Sequence, residues 1–126
     1  MTAADKRILL VEDDRFLRRA CESSLRQRGF VVISAVDGEE GLRLAQRDLP
    51  DLVLLDLLMP RVSGAEVLRS LKADPATRHI PVLILSNSSR DQDVAEVMAL
   101  GALDYWVKAS LSLKELGERV ARLLAG

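Results

Sequence analysis

The sequence predicts a doubly wound α/β fold, in which helices cover both faces of a parallel five-stranded sheet. Short apolar runs alternate with amphipathic stretches along the whole chain, which is the pattern of repeated βα units. The runs at 52–55 and 81–85 contain no polar residue, as expected for central strands that are buried on both faces. We therefore expect one domain over residues 1–126.

Each element can be assigned to a stretch of the chain. Apolar runs place the strands near 7–12, 30–35, 51–57, 81–86 and 104–108. Periodic apolar residues place the helices near 15–28, 38–47, 64–73, 90–100 and 112–125. Polar residues that suit helix N-termini precede four of these helices. They are Asp14, Asp37, Ser63 and Ser112, the last two in Ser-x-x-Glu capping boxes.

Two helices carry side chains whose placement can be predicted from their spacing. The last helix has a leucine-rich stripe that is expected to dock on the sheet. Its members are Leu113, Leu116, Val120, Leu123 and Leu124. The first helix carries arginines that are expected to form a solvated face. They are Arg15, Arg18, Arg19, Arg26 and Arg28.

Composition limits the classes of function. The chain is 48% hydrophobic and 29% charged, which suffices for a folded core, and its net charge of -1 gives no reason to expect direct nucleic-acid binding. No segment is apolar enough to predict a signal peptide or membrane insertion, so we expect a cytoplasmic protein. The single cysteine, Cys21, is expected in the core, and the single histidine, His79, in a loop.

Carboxylates follow two of the predicted strands. Glu12, Asp13 and Asp14 follow the first strand, and Asp56 ends the third. If these strands are parallel neighbours, Glu12, Asp13 and Asp56 meet within a few ångströms, and charges that close require a cation or bound protons. Oxygen ligands without a Cys or His cluster favour Mg²⁺, which leaves room for a phosphate oxygen. The sequence therefore predicts a metal-assisted phosphoryl site.

Two further polar residues are predicted at the same edge of the sheet. Ser86 ends the fourth strand and Lys108 ends the fifth. In an open α/β sheet, ligands bind outside the carboxyl ends of the strands, where the strand order reverses. The edge would thus combine a candidate nucleophile, Asp56, with acids for a metal, a hydroxyl group and a cation.

The ordered set of motifs resembles the receiver domain of bacterial two-component response regulators, including the chemotaxis regulators. The matching segments are Leu10–Asp14, Asp56–Pro60 with Gly64, Ile84–Ser86, and Gly101–Tyr105 followed by Lys108. The resemblance covers essentially the whole chain. It implies a flavodoxin-like (βα)5 fold with the strand order 2-1-3-4-5.

The resemblance also implies a chemical role for the acidic cluster. Asp56 would accept a phosphoryl group from a histidine kinase, a histidine phosphotransfer protein or a small phosphodonor, as a phosphoprotein in a phosphorelay. Glu12, Asp13, Asp56 and the backbone carbonyl of Leu58 would hold Mg²⁺. The chain would be an acceptor rather than a turnover enzyme, with at most weak autophosphatase activity.

In the same resemblance, Lys108 and the Ser86 hydroxyl would neutralise the transferring oxygens. Ser86 and Tyr105 match the family's switch pair, which would couple phosphorylation to the surface formed by the fourth helix, the fifth strand and the fifth helix. A downstream effector protein would bind that surface. The chain would be a monomer or a weak homodimer, either as a stand-alone receiver or as part of a longer regulator.

The chain departs from the family pattern at two positions. Ala109 follows Lys108 where the family usually has a proline after a cis bond; because a cis bond before a non-proline residue costs about 2.5–4 kcal/mol, we expect a trans bond or a mobile loop. Asn87 stands where the family prefers a small residue, and would narrow access to the site. Leu58 and Ser88 occupy positions that tune the lifetime of the aspartyl phosphate.

Three other functions compete with this interpretation. A pseudo-receiver that only binds proteins is compatible with Ala109 and Asn87. A Mg²⁺-dependent phosphohydrolase would carry a second acid two residues after the nucleophile, where this chain has Leu58. A flavin-binding electron carrier would need a phosphate loop rich in Ser, Thr and Gly after the first strand, where this chain has acids.

Overall fold

A computed structural model describes residues 6–125 and contains the five predicted strands and five predicted helices, each within one residue of its predicted bounds. The strands are β1 Arg7–Val11, β2 Val31–Ala35, β3 Leu52–Asp56, β4 Val82–Ser86 and β5 Asp104–Val107. The helices are α1 Arg15–Gln27, α2 Gly38–Asp48, α3 Gly64–Ala73, α4 Asp91–Ala99 and α5 Leu113–Leu124. Lys108, expected to end the fifth strand, instead begins a short 3₁₀ helix, Lys108–Ser110.

The strands form one parallel sheet in the order β2-β1-β3-β4-β5, which confirms the predicted fold class and strand order. β3 is the central strand, with Leu54 paired to Leu10 on β1 and to Leu83 on β4. The chain turns back from β2 across β1 to form β3 on the other side. The strand order therefore reverses between β1 and β3, at the edge where the predicted acids lie.

Alternation along the strands divides the core between the two faces of the sheet. On one face, strand residues such as Leu55 pack with α2, α3 and α4; on the other face, residues such as Leu54 pack with α1 and α5. Cys21 is buried in the second cluster, as predicted, and burial raises the pKa of its thiol to about 11. His79 lies in an exposed turn. No helix within residues 6–125 is both long enough and apolar enough to cross a bilayer.

The predicted stripe on α5 is only partly correct. Leu116 and Val120 are buried on the sheet, but Leu113 and Leu123 are more than 40% exposed. Leu113 is the first residue of α5 and lines a groove between α1 and α5, and Leu123 lines a shallow surface pocket together with Trp106 of β5. The sheet therefore covers the middle of the predicted stripe and leaves Leu113 and Leu123 partly exposed.

The predicted capping residues begin their helices. The Asp14 carboxylate accepts hydrogen bonds from the backbone N–H groups of Phe16 and Leu17 at 2.9 and 3.1 Å. Ser112 forms a complete capping box with Glu115. Ser63 caps α3 by accepting from the N–H of Glu66, but without the reciprocal bond of a capping box. The Asp14 carboxylate therefore caps α1 and is not part of the cluster formed by Glu12, Asp13 and Asp56.

The start of α3 is packed directly on the end of β3. The N–H of Gly64 donates to the carbonyl of Leu57 at 2.9 Å. A Cβ atom at position 64 would lie 2.7 Å from the Cα of Leu57 and would collide with the carbonyl oxygen of Asp56. Only glycine lets the helix approach this closely, and its approach fixes the backbone that carries Asp56.

We expect Gly64→Ala to reduce the free energy of unfolding by about 2–3 kcal/mol, because the added methyl group meets backbone atoms that cannot move aside. Urea unfolding measures the change. Gly117→Ala is the matched control, since the three atoms nearest to its Cβ all belong to the flexible side chain of Arg28, which can move aside. The control should be neutral or up to about 1 kcal/mol more stable than the parent, as alanine is favoured in helices. Equal effects of the two substitutions would contradict this account of Gly64.

Candidate functional site

The ends of β1 and β3 bring three of the predicted acids together. Glu12, Asp13 and Asp56 each place a carboxylate oxygen within 4.8 Å of the others. Glu12 and Asp56 are only 2% and 5% exposed, whereas Asp13 is exposed. The site therefore consists of two carboxylates inside the protein and a third at its surface.

Lys108 joins the two buried acids. Its Nζ lies 2.7 Å from Oε1 of Glu12 and 3.2 Å from Oδ1 of Asp56, and little of its side chain is exposed. Every peptide bond within residues 6–125 is trans, so the bond between Lys108 and Ala109 takes the form that alanine favours. The lysine reaches the acids with this trans bond.

The acids outnumber the cation, and the pKa values reflect this imbalance. Burial raises the pKa of Asp56 to about 7, and the nearby charge of Glu12 contributes to the rise, while Lys108 opposes both effects. Burial would lower the pKa of Lys108, but its hydrogen bond to Glu12 and the charge of Asp56 outweigh that effect and raise it. Lys108 thus stays protonated, but its single charge does not balance the three acids, so the site carries a net negative charge.

Hydrogen bonds from α1 hold the segment that carries Glu12 and Asp13. The N–H of Asp14 donates to Oε2 of Glu12 at 3.0 Å. Nη1 of Arg18 donates to the backbone carbonyl of Glu12 at 3.0 Å and lies 3.5 Å from that of Asp13. Arg18 is half-buried, which departs from the predicted solvated face, because the first turn of α1 brings its guanidinium back to the end of β1.

Arg26 is exposed, as predicted, and it also makes a hydrogen bond to the backbone. Its Nη2 donates to the backbone carbonyl of Val32 at 3.0 Å, so it ties α1 to β2. Arg15, Arg19 and Arg28 are not buried, as predicted.

The predicted switch residues lie on β4 and β5, and both contact the loop that follows β4. Ser86 is fully buried, and its Oγ accepts a hydrogen bond from the N–H of Ser88 at 3.1 Å. Tyr105 is half-buried, and its hydroxyl donates to the carbonyl of Ser88 at 2.7 Å. Within residues 6–125, no hydrogen bond joins Ser86 to Asp56 or Lys108. Both residues of the predicted pair instead bind Ser88.

Leu58 and Asn87 are exposed residues that follow Asp56 and Ser86 in the chain. The N–H of Leu58 points to Oδ1 of Asp56 at 3.4 Å, and its side chain is 59% exposed. Asn87 is exposed as well. The assignment of the Leu58 carbonyl as a metal ligand stays a prediction.

The donor set fits a small, hard divalent cation. The three clustered ligand groups, Glu12, Asp13 and Asp56, offer only carboxylate oxygens. Such ligands suit Mg²⁺ or Mn²⁺. The single ammonium of Lys108 leaves most of the negative charge of the acids without compensation, and the exposed position of Asp13 opens the cluster to solvent. A cation bound by these residues would supply the missing positive charge.

Comparisons with known proteins agree with this architecture. The family model described as the response regulator receiver domain matches residues 8–121. The transcriptional activator protein PfeR of Pseudomonas aeruginosa is 42% identical over 118 residues, which are 94% of this chain and 37% of that protein. The chain spans 22–48% of the lengths of the curated relatives that it matches.

Two solved structures show the same fold. The chemotaxis protein CheY4 of Vibrio cholerae is 27% identical with a TM-score of 0.87, and the match covers 94% of this chain and 98% of that chain. The phosphorylated cyanobacterial phytochrome response regulator RcpA is 32% identical with a TM-score of 0.78, covering 94% of this chain and 90% of that chain.

We expect Asp56→Asn to stabilise the metal-free protein at pH 8 by about 2 kcal/mol, after allowance for solvent screening. The pKa of Asp56 is raised to about 7 in the folded state. Its contribution therefore destabilises the protein increasingly as the pH rises from about 4 to 7, and the full penalty is present above pH 7. The advantage of the variant should therefore shrink as the pH falls from 7 towards about 4, where the carboxyl group is protonated in the folded state and increasingly so in the unfolded state. Urea unfolding in EDTA across this pH range measures the difference in the free energy of unfolding between the variant and the parent.

Asp91→Asn is the control for that experiment, because Asp91 is an exposed acid outside the cluster. It should show no comparable dependence on pH. An Asp56→Asn protein that is less stable than the parent at pH 8 would contradict the assigned electrostatics.

Proposed function

Because the chain belongs to the response regulator receiver domain family, we propose that it is a phosphoacceptor of a two-component phosphorelay and that Asp56 is the residue that becomes phosphorylated. The position of Asp56 is the observation that carries the proposal. It is a buried carboxylate at the carboxyl end of the central strand, held by Lys108 and clustered with Glu12 and Asp13.

The chemistry is a transfer of a phosphoryl group to a carboxylate oxygen. Oδ1 of Asp56 already faces Lys108 and the N–H of Leu58, which leaves Oδ2 as the oxygen to attack phosphorus. The P–O bond forms as the bond between phosphorus and the donor's nitrogen or oxygen breaks, and the donor leaves with that electron pair. Such transfers depend mainly on positioning and on neutralisation of charge.

The neighbouring residues provide that neutralisation. Mg²⁺ held by Glu12, Asp13 and Asp56 would neutralise the phosphoryl oxygens and favour the ionised, nucleophilic form of Asp56. The ammonium of Lys108 lies against Oδ1 of Asp56, so it can contact a phosphoryl oxygen on that carboxylate with a small movement. The hydroxyl of Ser86 would donate to another oxygen and so sense the phosphorylated state.

Phosphorylation would be communicated through Ser86 and Tyr105 to the surface formed by α4, β5 and α5. Both side chains bind Ser88 in the loop that leads into α4. A phosphoryl group that binds differently to the alternative positions of Ser86 would therefore shift this loop and the adjoining surface. A downstream effector protein would distinguish the two states at that surface.

The donor would be a histidine kinase or a histidine phosphotransfer protein in the cytoplasm, and the chain would act as an acceptor rather than as an enzyme with turnover. The solved structure of phosphorylated RcpA supports phosphorylation of a related receiver. A role as a pseudo-receiver is disfavoured because Lys108 contacts both buried acids despite the presence of Ala109.

We expect incubation with acetyl phosphate and Mg²⁺ to add one phosphoryl group to the parent chain, as measured by intact mass. Asp56→Asn should remain unmodified, and EDTA should prevent the reaction. Asp51→Asn is a matched control, because Asp51 lies at the opposite end of β3, and it should be labelled normally. Labelling of Asp56→Asn to the same extent as the parent would refute the assignment of the acceptor.

We expect Asp13→Asn to weaken Mg²⁺ binding by about ten-fold or more, because it removes a charged oxygen ligand. Asp14→Asn should change the affinity by less than about three-fold, since asparagine also caps helices well and Asp14 lies outside the cluster. Isothermal titration calorimetry measures both affinities. Equal losses in the two variants would show that the cluster attracts the ion only through its total charge.

A further inference from the structure

Ser88 connects three elements of the fold through hydrogen bonds, and all of its polar groups take part. Its N–H donates to Oγ of Ser86 at 3.1 Å, and its carbonyl accepts from the hydroxyl of Tyr105 at 2.7 Å. Its own hydroxyl donates to Oδ2 of Asp93 at 2.5 Å and accepts from the N–H of Arg90 at 3.3 Å. Ser88 is thus joined to the end of β4, to β5 and to the start of α4.

Asp93 is the residue that holds the Ser88 side chain. Its Oδ2 also accepts from Nε of Arg90 at 3.1 Å, and Oδ1 lies 3.4 Å from Nη2 of the same guanidinium. The Asp93 side chain is only 16% exposed, against 71% for Arg90. The hydrogen bond from Ser88, followed by that from Arg90, lowers the pKa of Asp93, so the carboxylate is charged at neutral pH. Charged acceptors form the stronger hydrogen bonds.

Asp93 does not cap its own helix. α4 begins after Arg90, whose side chain makes no capping hydrogen bond, and Asp93 is the third helical residue. At the corresponding position of α5, Glu115 accepts from the N–H of the capping residue Ser112. In α4 the Asp93 carboxylate instead accepts hydrogen bonds from the side chains of Ser88 and Arg90, and Ser88 lies in the loop between β4 and α4.

The contact between Ser88 and Ser86 bears on how the Ser86 hydroxyl is oriented. A serine hydroxyl carries one proton and two lone pairs. When the N–H of Ser88 occupies one lone pair, the proton of Ser86 must point elsewhere. A phosphoryl oxygen requires a donor, so this arrangement prepares Ser86 for the role proposed above.

We propose that Asp93 is a positioning residue of this receiver: by holding the Ser88 hydroxyl, it fixes the Ser88 backbone between Ser86 and Tyr105 and so prepares the Ser86 hydroxyl to donate to a phosphoryl oxygen. The inference rests on the proposed function, since it assigns to Asp93 an effect on the phosphorylated site. It also makes α4 itself part of the switch, because Asp93 moves only with that helix.

The first test uses the unphosphorylated protein. We expect Asp93→Ala to accelerate solvent exchange of the Ser88 amide, measured by NMR, by about five-fold or more, because the loop loses a charge-assisted hydrogen bond. Asp93→Asn keeps an oxygen acceptor and should give an intermediate rate. Asp91→Ala removes an acid from the same turn of α4 and should leave the Ser88 amide unchanged. The exchange of the buried Val97 amide serves to show that α4 remains folded in each variant.

The second test uses beryllofluoride with Mg²⁺ as a phosphoryl mimic. We expect Asp93→Ala to bind it about three-fold to ten-fold more weakly than the parent by calorimetry, and Asp91→Ala to stay within about two-fold. In a Ser88→Ala background, Asp93→Ala should have no further effect, because Asp93 acts through the Ser88 hydroxyl. Equal effects of Asp93→Ala and Asp91→Ala, or independent effects of Asp93→Ala and Ser88→Ala, would overturn the proposal.

The two tests separate this inference from the proposed function. If the parent protein binds no beryllofluoride and accepts no phosphoryl group, the proposed function fails, and the role of Asp93 towards a phosphoryl group fails with it. If the parent binds the mimic but Asp93→Ala leaves the exchange of the Ser88 amide unchanged, only the inference about Asp93 fails.

Discussion

The ammonium of Lys108, placed between the carboxylates of Glu12 and Asp56, is the interaction on which the rest of the site depends. Removing two carboxylates from water is costly, and one cation shared between them offsets only part of that cost. The part of this desolvation cost that Lys108 does not offset appears as the raised pKa of Asp56. The folded protein thus holds a carboxylate in a place where another positive charge, supplied by a metal ion, would be strongly favoured.

The sheet makes this placement possible. Glu12 follows β1, Asp56 ends β3 and Lys108 follows β5, so three strands that are distant in sequence meet at one edge. Hydrophobic burial on both faces holds these strands in register, and the glycine at position 64 lets α3 press against the backbone of Asp56. The free energy gained by burying the core therefore holds the charged residues together, in an arrangement that would be unfavourable on its own.

The sequence was sufficient to predict the elements and the acidic cluster, because both follow from strong regularities. Apolar periodicity marked each helix and strand, and the polar residues Asp56 and Ser86 stood out at the ends of apolar runs. Too many leucines of α5 were predicted to be buried, since periodicity does not show how much of a helix the sheet covers. The contacts of Arg18 and Asp93 were missed because they join a helix to a neighbouring loop and follow no repeating pattern. A basic residue one turn inside a helix after an acidic strand end, as at Arg18, is a weak signal that could have indicated its contact.

The most direct test of the electrostatics is a carbon-13 NMR titration of the Asp56 carboxyl group in the metal-free protein. We expect an apparent pKa near 7, a higher value in Lys108→Gln, and an ionised carboxylate at neutral pH once Mg²⁺ is bound. An Asp56 that titrates near about 4 without metal, and is unaffected by Lys108→Gln, would show that neither burial nor Lys108 controls its charge. That result would contradict the central role of the interaction of Lys108 with Glu12 and Asp56.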